Sequence, residues 1–433
     1  MKRNSLLTCL VLLSSVALLV TGCSKEAVKS ETEAAETVVK QVVAAPVPAK
    51  QAEPAKYADG IYFAMDDAFA SSGWKETATV TVQGGKIVSA DWNGVNSNGG
   101  ADKKTFDKAG KYNMVKFGNA QADWSVQAAK AEAYLVSTQD PAKITYKDNE
   151  GHTDDIAGVS VHVSAFFNLA AKALSAGPVG RGPLADGVYF AIDEAYASSG
   201  WKDYVSLTVI NGRIAGADWS GVNMANQDKK AFDKAGNYNM VKFGGAQADW
   251  YVQAEKAEAY LIANQDFAKL SYSDNEGHTD DIAGVSVHVG GFANLVGKAL
   301  AAGPVAIGSY ADGTYFASED AFGSTGWKET VSLFVSNGRI VNVNWSGVNE
   351  NGDDKKAYSA DGSYGMVAIG KASAEWHVQA AAVENYLLST QDPAKISYKD
   401  SEGHTDDIGG ASIHVSSFFT LVNKALAAGV VKK

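Results

Sequence analysis

The sequence predicts an α+β fold that occurs three times in tandem, each copy a small antiparallel sheet packed against helices. The chain repeats itself regularly, since His152, His278 and His404 stand in closely similar surroundings 126 residues apart. Each copy starts with β-rich segments around a turn and ends with two amphipathic helical segments. A period this long indicates duplicated globular domains, because solenoid repeats have periods of about 20–50 residues.

The amino terminus predicts export from the cytoplasm. Lys2 and Arg3 precede an apolar run from Leu6 to Val20, and Cys23 follows shortly after. A charged start, a short apolar run and small residues before a cleavage point are typical of a signal peptide, and the run is too short to span a membrane. The ending Val-Thr-Gly-Cys resembles the lipobox of bacterial lipoproteins, which implies that Cys23 is lipidated.

Five segments follow from these boundaries. Residues 1–22 are the predicted lipoprotein signal peptide, and residues 23–56 are the lipidated cysteine with a flexible tether that is rich in Ala, Glu, Lys, Val and Pro and lacks aromatic residues. The three domains are predicted at residues 57–178, 184–304 and 310–429, with short Gly/Pro joints between them. We expect the chain to lie outside the cytoplasm, held at the cell membrane by its lipid anchor.

Composition excludes several classes of function. The net charge of −11 argues against nucleic-acid binding, which needs clustered Lys and Arg. Both cysteines, Cys9 and Cys23, lie near the start, so the domains contain no disulfide and no thiolate ligand. The pair Lys103-Lys104 and its counterparts are expected to be a solvated surface run.

The elements of the first copy can be predicted in order. Residues 77–82 and 87–92 are β-rich and flank Gly84-Gly85, which predicts a hairpin. Residues 121–138 carry the apolar stripe of an amphipathic helix, residues 144–146 are predicted to form a short strand, and a second helical stripe ends at Gly177.

The most informative stretch is the run Gly-His-Thr-Asp-Asp-Ile-Ala-Gly-Val-Ser-Val-His at residues 151–162, which returns twice with small changes. It is compatible with a plain strand-to-helix turn in which Ser160 caps the helix. A serine nucleophile is less favoured, because the run lacks the second glycine of a G-x-S-x-G elbow. A metal site from His152, Asp154 and His162 requires the loop to fold back and shows no helical ligand spacing, so we expect no metal site.

The run Asp154-x-x-Ala-Gly-Val-Ser160 resembles the flavinylation motif Asp-x-x-Ser/Thr-Gly-Ala-Thr/Ser of the FMN-binding domain family. Further likeness lies in the segment that starts at Tyr112 and in Trp124-x-x-Gln127. Members of this family are flavin-carrying subunits of sodium-pumping and Rnf-type oxidoreductases and lipid-anchored flavoproteins of extracellular electron transfer. In them a hydroxyl receives FMN through a phosphodiester, from FAD, by the action of a flavin transferase.

The resemblance implies a role for each site residue. Up to three covalent FMN groups are expected on serines, next to acidic residues that the transferase recognises and to glycines that keep the turn slim. Tryptophan, methionine and histidine side chains are expected to surround the ring. The expected cofactor-binding residues are Ser160, Ser286, Ser412, Asp154, Asp280, Asp406, Gly158, Gly284, Gly410, Trp92, Trp219, Trp345, Met114, Met240, Met366, His162, His288 and His414.

The implied function is a membrane-anchored, multi-flavin electron carrier without catalytic residues or substrate turnover of its own. Its expected partners are a flavin transferase, a membrane dehydrogenase or quinol-linked electron donor, an acceptor outside the cytoplasm, and the membrane itself. The alternative from another class is a lipid-anchored solute-binding protein that uses exposed tryptophans, and a surface interaction protein is the third candidate.

Overall fold

The computed structural model describes residues 56–432, which form three similar α+β repeats. The signal peptide, Cys23 and almost all of the tether lie outside the described residues, so the predictions about them stay predictions. Among residues 56–432, no helix is both long enough and apolar enough to cross a membrane. The predicted fold class is confirmed: each repeat is a three-stranded antiparallel sheet packed against helices.

Each repeat opens with three strands that follow one another along the chain. In the first repeat these are β1 (Gly60–Met65), β2 (Trp74–Gln83) and β3 (Lys86–Asn96), with β2 in the centre. The β2–β3 turn holds Gly84 and Gly85 at φ of 60° and 69°. Positive φ at both central residues matches the twist of a two-residue hairpin and favours glycine, which is why the predicted hairpin forms at this point.

The same strand order returns in the other repeats. The second repeat contains β4 (Gly187–Ile192), β5 (Trp201–Ile210) and β6 (Arg213–Asn223). The third contains β7 (Gly313–Ser318), β8 (Trp327–Ser336) and β9 (Arg339–Asn349).

Helices cover one face of each sheet. The first repeat contains α1 (Lys103–Lys108), α2 (Met114–Gly118), α3 (Trp124–Thr138) and α4 (Ser164–Ala176). The second contains α5 (Lys229–Lys234), α6 (Met240–Gly244), α7 (Trp250–Asn264) and α8 (Gly290–Ala302). The third contains α9 (Lys355–Ala360), α10 (Trp376–Thr390) and α11 (Ser416–Ala428), and residues 366–370 form turns where the other repeats have a short helix.

The core of a repeat lies between its sheet and its two long helices. Helix α3 packs on β3, and α4 packs on β1 and β2. Helix α3 buries Ala128, Ala131 and Leu135, which fall on one face at the spacing of an amphipathic helix. The Trp92 ring from β3 stacks on Phe166 of α4 with ring centroids 5.4 Å apart, so an aromatic pair joins the sheet to the helix layer.

The short strand predicted at residues 144–146 is not formed. Side chains take over the hydrogen bonds that a partner strand would make: Thr145 N–H donates to Asp155 Oδ2 at 2.7 Å, and Thr153 Oγ1 donates to the Thr145 carbonyl at 2.7 Å. Because these groups satisfy the backbone, the segment runs extended without pairing to the sheet. The prediction was based on the β-prone residues and did not include the two side chains that bond to the Thr145 backbone in place of a partner strand.

The repeats are packed against one another through the outer faces of their sheets. Val95 of the first repeat forms an apolar cluster with Ile210 and Ala215 of the second. A similar cluster joins Tyr204 of the second repeat to Phe334 of the third. Polar side chains also make hydrogen bonds between neighbouring repeats. The two linkers form backbone hydrogen bonds with the first strands of the repeats, such as Val179 N–H to the Ile61 carbonyl at 2.8 Å and Val305 N–H to the Val188 carbonyl at 2.7 Å. The described repeats therefore form one compact unit.

Candidate functional site

The acceptor turn, residues 157–161, is anchored by one buried glutamine. Gln127 of α3 is 1% exposed, and its Oε1 accepts hydrogen bonds from Ser160 N–H at 2.6 Å, Val161 N–H at 3.2 Å and Ser160 Oγ at 3.3 Å. Its Nε2 donates to the Ala122 carbonyl at 2.8 Å, which fixes the orientation of the amide. One side chain thus determines the position of the serine from inside the protein.

The other repeats build the same arrangement. Ser286 N–H lies 2.6 Å from Gln253 Oε1, and Ser412 N–H lies 2.7 Å from Gln379 Oε1. The serine hydroxyls lie 3.2 Å from the same oxygens. All three serines are exposed, so each hydroxyl is held in place yet open to a large reagent.

Alternation along the turn explains this exposure. Val161 and Val163 point inward and are buried, whereas Ser160 and His162 point outward. Gly158 precedes them with φ of 72°, a left-handed conformation that suits glycine. Gly284 and Gly410 have φ of 73° and 83° in the same place. A serine and a histidine therefore share the outer side of every turn.

The two adjacent aspartates have different roles. Asp155 holds the backbone of Thr145, and hydrogen bonds from Thr145 lower the pKa of the Asp155 carboxyl. Asp154 is turned to solvent with its side chain 81% exposed and lies 3.3 Å from Lys147 Nζ. Asp280 and Asp406 are likewise exposed. The carboxylate expected to meet a transferase is thus the accessible one, and its neighbour maintains the loop.

Lysines near the turn differ between the repeats. Lys130 Nζ lies 3.2 Å from the Ala157 carbonyl and 3.1 Å from the Gly158 carbonyl. Lys256 Nζ makes the equivalent contact with the Gly284 carbonyl at 3.3 Å. The third repeat has Ala382 at this position. A cation therefore stands over the first and second turns but is missing from the third.

The tryptophans expected to hold a flavin are core residues instead. Trp92 is 1% exposed, because Trp124 and Phe166 cover its ring. Trp219 and Trp345 are buried in the same way. A ring with both faces covered has no surface on which a ligand can stack, so we leave these three residues out of the flavin contacts. All nine tryptophans of the chain fall within residues 56–432, and every one of them is buried.

Exposed apolar side chains lie instead on the segment that leads into the helix holding the glutamine. Met114 begins α2 and is half-buried, while Phe117 in the same helix is 75% exposed. Val115 N–H is held 3.3 Å from Asp123 Oδ1, just before α3 begins. Met240 and Met366 occupy the same half-buried place, followed by the exposed side chains of Phe243 and Ile369.

Lys103 was expected in a solvated surface run, but it is buried. Its Nζ pairs with Glu76 Oε1 at 2.5 Å and lies 4.3 Å from the Trp124 ring centroid. Burial raises the pKa of the Glu76 carboxyl, and the lysine works against that rise. Glu76 Oε2 also accepts from Trp92 Nε1 at 2.6 Å. This charge network belongs to the core of the repeat.

The histidines at the ends of the motif come together. The loop folds back so that the rings of His152 and His162 are 4.2 Å apart, and Glu150 joins them with its Oε2 3.6 Å from His162 Nε2. Asp154, the third residue weighed for a metal site from the sequence, pairs with Lys147 outside this group. His288 and His414 lie in matching groups.

Sequence reasoning assigned no role to Gln127, Lys130 or Glu150. Gln127 was noticed only as part of a pattern, because its partner is 33 residues away along the chain. Its recurrence three residues after a tryptophan in every repeat was the available signal.

Comparison with protein-family models finds no match, and comparison with curated proteins finds none either. Two solved structures resemble part of the chain. A solution NMR structure of a Clostridium thermocellum protein is 56% identical over 27% of this chain and 90% of its own, with a TM-score of 0.23. A crystal structure of a Clostridium perfringens protein is 22% identical over 28% of this chain and 88% of its own, also with a TM-score of 0.23.

Proposed function

We propose that this protein is a lipid-anchored electron carrier that holds up to three FMN groups, one on a serine of each repeat. The observation that carries the proposal is the geometry of the acceptor turn. Ser160 is exposed, its backbone is fixed by a buried glutamine, and an accessible aspartate lies six residues earlier. A separate enzyme can use these features to find and modify one hydroxyl.

The attachment reaction balances with FAD as donor. Ser160 Oγ forms a bond to the phosphorus that carries the riboflavin portion, and the pyrophosphate bond of FAD breaks. AMP leaves, and the hydroxyl proton passes to solvent or to a base of the transferase. No oxidant or reductant is consumed. Lys130 stands beside the turn as a cation able to pair with the resulting phosphodiester.

The residues present fit such a group. The phosphate would stand on the turn, and the ring would find the exposed apolar side chains of Phe117 or its counterparts Phe243 and Ile369. Bound FMN supplies one- and two-electron redox chemistry, and the protein contributes placement and electrostatics. The packing of neighbouring sheets supports fixed distances between the three cofactors, which a relay requires.

The electron donor in this proposal is a membrane dehydrogenase or a quinol-linked enzyme, and the acceptor lies outside the cytoplasm. The lipid on Cys23 and the tether keep the carrier at the membrane surface, where both partners can reach it. The alternative of a solute-binding protein with exposed tryptophans loses its main support, because all nine rings are buried.

The test is co-expression of the full chain with a flavin transferase, followed by intact mass measurement and a visible spectrum. We expect a yellow protein heavier by up to three FMN units. Ser160→Ala, Ser286→Ala and Ser412→Ala should each remove one unit, and Ser160→Thr should retain it because a hydroxyl remains.

Ser175→Ala is the matched control, since Ser175 is an exposed serine on α4 of the same repeat. It should leave the mass increment intact. A colourless chain of unmodified mass, or an increment that survives all three serine substitutions, refutes the proposal.

A further inference from the structure

Each repeat contains a cluster of two imidazoles and one carboxylate, to which the electron-carrier proposal gives no role beyond the expected flavin contact of one histidine. In the first repeat it consists of Glu150, His152 and His162, whose potential ligand atoms all lie within 4.8 Å of one another. The two rings meet edge to face with centroids 4.2 Å apart. Two histidines and a glutamate at this separation can bind one metal ion together.

The cluster is held in place by its surroundings. Asp148 Oδ1 accepts the His152 backbone N–H at 3.1 Å, and Asp148 Oδ2 lies 2.6 Å from His152 Nδ1. Asp148 thus orders the His152 ring and favours the tautomer with Nε2 as electron-pair donor, while Glu150 Oε2 lies 3.9 Å from Nδ1 of the same ring. Metal-bound histidines usually make such a contact through the ring nitrogen that does not bind the metal.

The backbone brings the two halves of the cluster together. Val163 N–H donates to the Gly151 carbonyl at 2.9 Å, and Lys147 N–H donates to the His152 carbonyl at 2.9 Å. Gly151 has φ of 90°, and a Cβ there would come within 2.0 Å of Ser164 Oγ. Only glycine permits this close approach, which turns the loop so that His152 faces His162.

The second and third repeats reproduce the cluster with its supporting aspartate. His288 Nε2 lies 3.6 Å from Glu276 Oε2, and His414 Nε2 lies 3.8 Å from Glu402 Oε2. The ring pairs have centroids 4.1 Å and 4.3 Å apart.

The chemistry of the ligands indicates the class of metal. Two imidazoles and one carboxylate without a thiolate form an N,N,O set that suits Zn²⁺, with water completing a four-coordinate site. Ligand atoms around tetrahedral Zn²⁺ are about 3.3 Å apart. The distances between the potential ligand atoms of the cluster therefore need to shorten by only a fraction of an ångström to somewhat over 1 Å. Glu150 can make this movement because its side chain is 71% exposed.

We propose that each repeat binds one divalent transition-metal ion of the zinc class through Glu150, His152 and His162 or their counterparts. The ion stands beside the acceptor turn on its solvent side and keeps an open coordination position for water or an anionic group. This replaces the expectation from sequence that the chain has no metal site. The proposal rests on the cluster alone and does not require flavin.

The experiment uses the purified full chain, stripped of metal with a chelator and titrated with ZnCl₂ in a calorimeter. We expect three equivalents per chain. The triple variant His162→Ala, His288→Ala, His414→Ala should lose all of them, and each single variant should lose one. Co²⁺ added to the unmodified chain should give the visible bands of a tetrahedral site.

The chain provides two matched controls. His377 is the one histidine outside the clusters, so His377→Ala should retain three equivalents. Ser160→Ala should also retain them, which separates this proposal from that of flavin attachment. Near-ultraviolet circular dichroism checks that each variant is folded. Absence of binding at 100 μM Zn²⁺, or stoichiometry unchanged in a folded triple variant, overturns the proposal.

Discussion

The first and third repeats present the same serine on the same glutamine, but they differ in the charges around it. Ser160 N–H and Ser412 N–H lie 2.6 Å and 2.7 Å from their glutamine oxygens. Lys130 stands over the first turn, whereas the third repeat has Ala382. The turn therefore forms without the lysine. Its cation is not needed to shape the backbone, which leaves it available to a bound anion.

The second repeat differs from the other two in the core. In the first and third repeats, Glu76 and Glu329 accept the indole N–H of Trp92 and Trp345 at 2.6 Å and 3.1 Å. The second repeat has the shorter Asp203, which reaches its lysine at 3.2 Å, and Trp219 Nε1 is buried without a hydrogen-bond partner. A single missing methylene thus separates a hydrogen-bonded indole N–H from one without a partner.

The largest effect is expected from Gln127→Leu, which tests what the repeats share. The change leaves the N–H groups of Ser160 and Val161 without their acceptor, and we expect it to cost about 2–3 kcal/mol of stability. FMN on Ser160 should be lost while the other two serines keep theirs. Chemical denaturation and peptide mass mapping measure both effects. Gln379→Leu should do the same in the third repeat, and a stable Gln379→Leu protein that keeps FMN on Ser412 would show that the two repeats do not share this dependence.

The two neighbouring aspartates should separate stability from modification. Asp155→Ala removes the acceptor of Thr145 N–H and should lower the melting temperature. Asp154→Ala should leave the melting temperature unchanged and slow flavin attachment at Ser160 at least tenfold. Equal effects of the two substitutions on attachment rate contradict the division of roles.

The pH dependence of this effect has a definite sign. The folded state lowers the pKa of Asp155, so its stabilisation is present above the ordinary carboxyl pKa and is lost as the pH falls through the lowered value. Asp155→Ala should therefore destabilise the protein at neutral pH and make little difference in strong acid. Thermal scans across this range measure the difference.

The core of the second repeat should improve with Asp203→Glu. The longer side chain can reach both Lys229 and Trp219 Nε1, as Glu76 does in the first repeat, and we expect a gain of about 1 kcal/mol. The reciprocal change Glu76→Asp should cost a similar amount. Denaturation midpoints of the two variants provide the test, and a destabilised Asp203→Glu protein would show that the second repeat has adapted to the shorter residue.

The smallest effect is expected at the turn lysine. Lys130→Ala should slow flavin attachment at Ser160 about two- to fivefold, since a partly exposed cation contributes well under 1 kcal/mol. Ala382→Lys should accelerate attachment at Ser412 by a similar factor. Both effects should shrink in high salt, because salt screens exposed charges. Single-turnover kinetics followed by mass spectrometry are sensitive enough to detect them.

The sequence predicted what depends on local periodicity and repetition. The glycine hairpin, the stripe on α3 and the threefold repeat all have signals within a short window. The strand at 144–146 was wrong, because the side chains that replace its partner lie eight and ten residues further along.

The site was harder to predict because long-range contacts decide it. In the sequence Trp92 stands at the end of a β-rich segment, close to a turn. In the fold its ring is covered by Phe166, which lies 74 residues later. The sequence alone indicates that Lys103 is a surface residue, but in the fold it is buried and forms an ion pair with Glu76. The histidine cluster could not be predicted because it depends on how the loop folds back. In the fold the cluster includes Glu150, whereas Asp154 points to solvent.

Peptide mass mapping of the full chain after co-expression with a flavin transferase shows which serines carry FMN. We expect one FMN on each peptide that contains Ser160, Ser286 or Ser412, with attachment at Ser412 slowest because the third turn has no lysine beside it. If all three peptides remain unmodified while the transferase modifies another substrate in the same cells, the protein is not a covalent flavin carrier.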